Sequence, residues 1–180
     1  MADPGAFVLP AELVQAADKV IKANRALGLR VAVAESCTGG LVSAALTEIA
    51  GCSDVFEAGF VTYANEAKME MLGVSLDVLD TFGAVSVATA WSMAQGALKR
   101  SRADVAVAIT GIAGPGGGSA RKPVGTVVFA RARRGQGPQD IEADSRDLGD
   151  LGRAGIRLQA ALWALELLMP ASPDEAPPGP

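Results

Sequence analysis

Apolar positions along the chain follow two patterns in alternation: long stretches at helical spacing and short unbroken runs. After a loose start over residues 1–8, Pro10 opens a segment in which Leu13, Val14, Ala17, Val20, Ile21, Ala23 and Leu27 recur at helical spacing, with Gly28 as its stop. The run Val31-Ala32-Val33-Ala34-Glu35 predicts a buried strand, and Gly40 to Ala50 predicts a helix with Leu41, Ala44, Ala45 and Ile49 on one face. Val55 to Tyr63 reads as a second strand, followed by Asn65 placed to cap a short helix carrying Ala67, Lys68, Met71 and Leu72. Leu76 to Phe82 is a further helical stretch. Ser86 is the expected N-cap of a longer helix to about Arg100, with Val87, Ala90, Trp91, Ala94 and Leu98 turned inward.

Asp104 to Thr110 is a strand whose apolar content predicts burial on both faces. A Gly/Pro-rich loop then spans Gly111 to Pro123. Gly125 to Arg133 and Asp140 to Ser145 form an expected strand pair joined by the turn at Gly135-Gln136-Gly137-Pro138. A last helix runs from about Asp150 to Met169. The expectation is a single domain over residues 1–170 and a disordered, proline-rich tail over 171–180. Long helices alternating with short buried strands predict an α/β fold with helices on both faces of a sheet. The late strand pair makes one strand antiparallel, so the sheet is expected to be mixed, mostly parallel and of about five strands.

Composition sharpens this picture. The 180 residues suffice for a substantial core, and hydrophobic residues reach 49% with aromatics only 4%, which favours close packing of small side chains. A net charge of −4 argues against nucleic acid as a partner, since that binding needs many cations facing phosphates. The basic clusters Arg131-Ala132-Arg133-Arg134 and Lys99-Arg100-Ser101-Arg102 read as solvated charge at segment ends. Cys37 and Cys52 offer neither metal-ligand spacing nor a disulfide framework. No apolar run approaches the roughly 18 residues of a membrane span, and no stretch has the pattern of a signal peptide, so a cytoplasmic location is expected.

Chemistry concentrates in three stretches. In Glu35-Ser36-Cys37-Thr38-Gly39-Gly40 a strand gives way to a helix, and an elbow of that kind exposes a nucleophile beside unpaired amides. The chain has no histidine, which excludes Ser-His-Asp triads and imidazole-ligated zinc. If Ser36 is the nucleophile, its base is a carboxylate, a lysine, a tyrosine or the terminal amine. The competing reading makes Ser36 or Thr38 a helix cap and the glycines packing devices, with Cys37 a rival nucleophile. The second stretch runs from Gly59 through Tyr63 and Asn65 to Lys68. A lysine in the first helical turn, opposed by the helix dipole and by burial, loses its proton more readily and becomes a base. The alternative is an exposed lysine. The third, Thr110-Gly111-Ile112-Ala113-Gly114-Pro115, leads a glycine-rich loop at a strand end, suited to an anion or simply flexible.

Together these stretches resemble the nicotinamide-nucleotide amidohydrolases, which also form the C-terminal domain of the CinA competence/damage-inducible proteins. The resemblance rests on Ala34 to Gly40, Gly59 to Tyr63, Asn65 to Lys68, Gly83 to Ser86, Thr110 to Pro115 and Lys122 to Thr126, and covers roughly residues 10–169. It implies a three-layer α/β/α sandwich and, for the site, Ser36 as nucleophile, Lys68 as base and Tyr63 in the proton path. It implies substrate contacts at Glu35, Thr38, Gly39, Gly40, Asn65, Thr110, Gly111, Gly114 and Arg153. Two positions depart from the family pattern: Gly116 stands where an acidic residue is common, and Leu151-Gly152-Arg153 replaces Gly-Asp-Arg, with Arg157 following as the pattern expects. The implied reaction converts nicotinamide mononucleotide to nicotinate mononucleotide and ammonia, in pyridine nucleotide salvage. No metal and no cofactor are expected, no membrane or nucleic-acid partner, and a homo-oligomer is expected. The metal-dependent pyrophosphatase domain of full-length CinA proteins is not expected here. The rival readings are a non-catalytic phospho-ligand binding module and a Ser-Lys hydrolase of another amide.

Overall fold

The computed structural model describes residues 8–170 apart from 138, 139 and 141. The expected tail over 171–180, most of the loose start and Pro138 of the expected turn lie outside the described residues. In chain order the elements are α1 (Ala11–Ala26), β1 (Val31–Glu35), α2 (Leu41–Thr47), β2 (Phe56–Val61), α3 (Asn65–Leu72), α4 (Leu76–Phe82), α5 (Val87–Lys99), β3 (Val105–Gly111), β4 (Thr126–Arg133), β5 (Glu142–Asp147) and α6 (Gly152–Leu167). The strands form one sheet in the order β2-β1-β3-β4-β5. β1 pairs in parallel with β2 and β3, while β4 runs antiparallel to both of its neighbours. One strand of five therefore opposes the rest, as the late strand pair requires.

Alternation along the strands builds the two layers. Val31, Val33, Val105, Val107, Ile109, Val127 and Phe129 face α1, α2 and α6. The intervening Ala32, Ala34, Ala106, Ala108, Ala130 and Ala132 face the side that holds α3, α4 and α5. Successive strand residues point to opposite faces, so the Val-Ala-Val-Ala repeat makes one face bulky and the other flat. The flat face admits α5, whose Ala90, Met93, Ala94 and Ala97 are fully buried against it.

Several boundaries differ from expectation, each with a local cause. α2 ends at Thr47, where the Thr47 hydroxyl donates back to the Ser43 and Ala44 carbonyls. β2 ends at Val61 because the Thr62 and Tyr63 carbonyls turn to accept from Lys68 Nζ. Asn65 is the first helical residue of α3; Ala64 is the N-cap and no side chain caps this end. β5 starts at Glu142 and is polar apart from Ala143, its register set by pairing with β4. Ser86 caps α5 as expected, accepting from the Thr89 amide, but Val87 is exposed.

Lys99, Arg100 and Arg102 are exposed, as solvated charge at a segment end should be, whereas the 131–134 cluster is partly built into the fold. Arg134 donates to the carbonyls of Leu98, Ser101 and Ala103. Arg131 is buried and reaches the Met169 carbonyl. Arg102 pairs with Glu57, which also pairs with Arg30. No helix among the described residues is long and apolar enough to cross a membrane.

Candidate active site

β2, β1 and β3 run in the same direction, so their C-terminal ends open on one edge of the sheet. Glu35 pairs with Val61 on one side and Ile109 on the other. The next residue of each strand direction is then Ser36, Thr62 or Thr110, three side chains side by side at that edge. The Ser36 amide completes the ladder by donating to the Ile109 carbonyl, and Thr62 N donates to Glu35 O. Open α/β sheets place ligand sites at this edge.

Lys68 reaches the same point from α3. Its side chain is almost fully buried, 1% exposed, and Nζ lies 3.2 Å from Ser36 Oγ. Nζ also donates to the carbonyls of Thr62 at 2.9 Å and Tyr63 at 3.0 Å. A neutral amine has two N–H groups and one lone pair. The two carbonyls take the N–H groups, and the lone pair is left facing the serine hydroxyl. Burial pushes the Lys68 ammonium below the usual lysine range, against smaller opposing pulls from Cys37 and Glu66. The exposed-lysine reading does not survive this geometry.

A cavity of about 210 Å³ opens in front of the pair, lined by Ser36, Cys37, Tyr63, Lys68, Ala84, Val85, Thr110, Gly111, Ala113 and Arg153. Arg153 Nη1 donates to the Gly114 carbonyl at 2.8 Å and Nη2 to the Tyr63 hydroxyl at 3.3 Å, so one guanidinium ties α6 to the third loop and to the cavity mouth. Tyr63 is 61% exposed; its carbonyl touches Lys68 while its hydroxyl is held by Arg153. Thr110 is buried and donates to the Ala84 carbonyl, fixing the loop ahead of α5. Burial raises the Cys37 thiol to about 11, so it stays protonated near neutral pH and is a poor nucleophile.

Not every expected contact residue reaches the cavity. Glu35, fully buried, is not a cavity residue: Gly40 N, Val42 N, Ser43 N and Ser43 Oγ all donate to its carboxylate. It is the cap of α2, and a carboxylate is the side chain that such an amide cluster attracts. The helix amides expected to receive negative charge are therefore already spent on Glu35. Thr38, Gly39, Gly40 and Asn65 are also absent from the cavity wall, and Gly114 contributes through its carbonyl to Arg153.

Ala84, Val85 and Arg157 carry more of the site than their sequence context suggests. Ala84 and Val85 line the cavity just ahead of the Ser86 cap. Arg157 lies one helical turn beyond Arg153, on the same face of α6, and grips the elbow by its carbonyls: Nε to Cys37 O at 3.2 Å, Nη2 to Thr38 O at 2.8 Å. The family pattern that expects Arg157, and its spacing of four from Arg153, were the available signals. Among the described residues no group of His, Cys, Asp or Glu could hold a metal ion.

The CinA C-terminal domain family model matches residues 13–171. The Nicotinamide-nucleotide amidohydrolase PncC of Escherichia coli (strain K12) is 52% identical to this chain over 158 residues, 87% of this chain and 93% of that protein. Among solved structures, the competence/damage inducible protein CihA from Agrobacterium tumefaciens aligns with a TM-score of 0.86 and 53% identity, covering 91% of this chain and 97% of that one. A CinA superfamily protein from Escherichia coli aligns with a TM-score of 0.80 at 34% identity, covering 91% and 92%. With a family model matched over most of its length, a relative 52% identical over 93% of that protein and a solved structure of the same superfamily at a TM-score of 0.86, the chain belongs to the CinA C-terminal domain family.

Proposed function

We propose that this chain is a nicotinamide-nucleotide amidohydrolase that deamidates nicotinamide mononucleotide in pyridine nucleotide salvage, with Ser36 as nucleophile and Lys68 as its base. The observation that carries the reading is the buried Nζ of Lys68, two of its positions filled by carbonyls and the third directed at Ser36 Oγ. The 52% identity to a protein named for this activity, over nearly its whole length, supports the choice of substrate.

The steps follow from the groups present. Lys68 takes the hydroxyl proton as Ser36 Oγ bonds to the carboxamide carbon, and the carbonyl π pair moves onto oxygen. Lys68 returns that proton to the amide nitrogen, the C–N bond breaks and ammonia leaves. Water then attacks the acyl-enzyme, giving its proton to Lys68, and the Ser36 oxygen departs with that proton to release nicotinate mononucleotide. Ala84 and Val85 supply an apolar wall for the pyridine ring. Arg153, at the mouth, is the cation placed to meet the nucleotide phosphate, with N–H groups beyond the two already engaged.

The test is ammonia release from nicotinamide mononucleotide by the wild-type protein and by Ser36→Ala. The wild type turns over, and Ser36→Ala loses turnover while keeping its melting temperature and most of its affinity for the nucleotide. Affinity without turnover in the wild type marks a phospho-ligand binding module instead, and turnover restricted to other amides marks a hydrolase of different substrate. An active Ser36→Ala removes the acyl-enzyme.

A further inference from the structure

The amides of the elbow can be accounted for one by one from Ser36 to Ser43. Ser36 N donates to Ile109 O, Gly39 N to Ser36 O and Leu41 N to Thr38 O. Gly40, Val42 and Ser43 donate to Glu35. Only the amides of Cys37 and Thr38 donate to no oxygen among the described residues. Both face the Cys37 sulfur, a weak acceptor, and buried backbone amides are almost always paired with oxygen, so two consecutive ones beside Ser36 keep capacity for an oxygen partner.

Their carbonyls, by contrast, are tied down. The N–H and C=O of a trans peptide point in opposite directions, so whatever holds the Cys37 carbonyl aims the Thr38 amide the other way. Arg157 Nε holds it, at 3.2 Å. Arg157 Nη2 holds the Thr38 carbonyl at 2.8 Å and thereby fixes the peptide whose N–H, that of Gly39, donates to Ser36 O. The Ser36 carbonyl, so held, aims the Cys37 amide. One guanidinium therefore sets both of these amides. It makes no ion pair among the described residues, so its charge stays directed at the elbow.

We propose that Arg157 is a positioning residue that builds the oxyanion site of Ser36, by holding the Cys37 and Thr38 carbonyls so that the Cys37 and Thr38 amides meet the charge developing on the substrate oxygen. The inference rests on the acyl-transfer reading of Ser36. Both amides also oppose burial by lowering the Cys37 thiol, as does the Arg157 charge, and that thiol lines the cavity, so this positive potential is felt on the substrate side. Arg153, four residues earlier, touches the mouth of the cavity, so the two arginines divide the work between substrate and elbow.

The experiment pairs steady-state kinetics with 3-pyridylboronic acid, to whose boron Ser36 Oγ adds while Lys68 takes the proton, leaving a tetrahedral anion. Arg157→Gln and Arg157→Lys are expected to lower kcat by about 10- to 1,000-fold, the scale of a lost oxyanion donor, and to lose boronate affinity in step. KM is expected to stay within about threefold of the wild type, since the contact matters only once charge develops. In the wild type, the Cys37 and Thr38 amide protons should shift downfield when the boronate adduct forms, a measurement that stands even if the variants fail to fold. Unchanged kcat, a loss carried by KM with boronate affinity intact, or amide protons that do not move each overturn the proposal. A wild type that neither releases ammonia nor forms an adduct fails at the acyl-transfer reading itself; a wild type that does both, beside indifferent variants, fails only at Arg157.

Discussion

The proposed role of Lys68 as base requires a neutral amine, and burial favours that form by lowering the pH at which the proton leaves. Activity should rise with pH through the depressed value of Lys68 and level off above it. The chain has no histidine to imitate such a titration. Lys68→Arg keeps a charge that is not given up near neutral pH and should be nearly as damaging as Lys68→Ala. A pH–rate profile of the wild type, read beside the activity of the Arg variant, checks both statements. Stability carries the same signature with its own sign. The folded-state value lies below the unfolded one, so the native state binds fewer protons between them and stability climbs with pH across that window. Replacing Lys68 by Met should remove that slope from denaturant melts taken across pH.

Elements place these groups, and two of their contacts allow no alternative side chain. Glu35 accepts two donors on each carboxylate oxygen, at the start of α2. Glu35→Gln turns an NH₂ toward donors whichever way the amide is rotated, so the substitution should cost about 1–3 kcal/mol of unfolding free energy. Activity should fall with it, since the elbow loses its anchor; urea melts and kcat together test this. The second contact seats α3 on α5. A Cβ on Gly96 would lie 2.1 Å from the Leu72 carbonyl oxygen, one helical turn beyond Lys68. Gly96→Ala should therefore destabilise by roughly 1–3 kcal/mol despite the better helix propensity of alanine, and should lower kcat by lifting Lys68 from Ser36. A variant as stable and as active as the wild type would show that the helices are not held by this approach.

Across the whole molecule, the edge of the sheet is secured by charge. Glu57 on β2 accepts from Arg102 ahead of β3 and from Arg30 ahead of β1, and these guanidinium groups hold its carboxyl below the usual range. A depressed carboxylate contributes stability above its unfolded value and loses it as pH falls through its folded one. Acid unfolding of Glu57→Gln should accordingly be less steep across the carboxylate range than that of the wild type. The contribution is modest, because Arg102 is 82% exposed and solvent screens its charge.

Local physics makes much of this protein readable from residue order. Val-Ala alternation in β1 and β3 requires two buried faces of unequal bulk, Ser86 can only start a helix where it stands, and the elbow at Ser36 follows from a buried strand meeting two glycines. The absence of histidine leaves lysine among the few possible bases. What the order of residues left open was decided by groups far apart in the chain. Glu35 and Lys68 are both charged residues beside an apolar segment, and nothing local separates a helix cap from a substrate contact or an exposed lysine from a buried one. Sheet order does: with β1 between β2 and β3, Glu35 is enclosed under α2 and Lys68 is carried by α3 to Ser36, 32 positions away. Arg157 was still less legible, since its role lies in two carbonyls 120 and 119 positions away. Arg157 stands where the family pattern expects an arginine, but backbone carbonyls carry no side-chain identity, so what it touches is decided only once α6 packs beside the elbow.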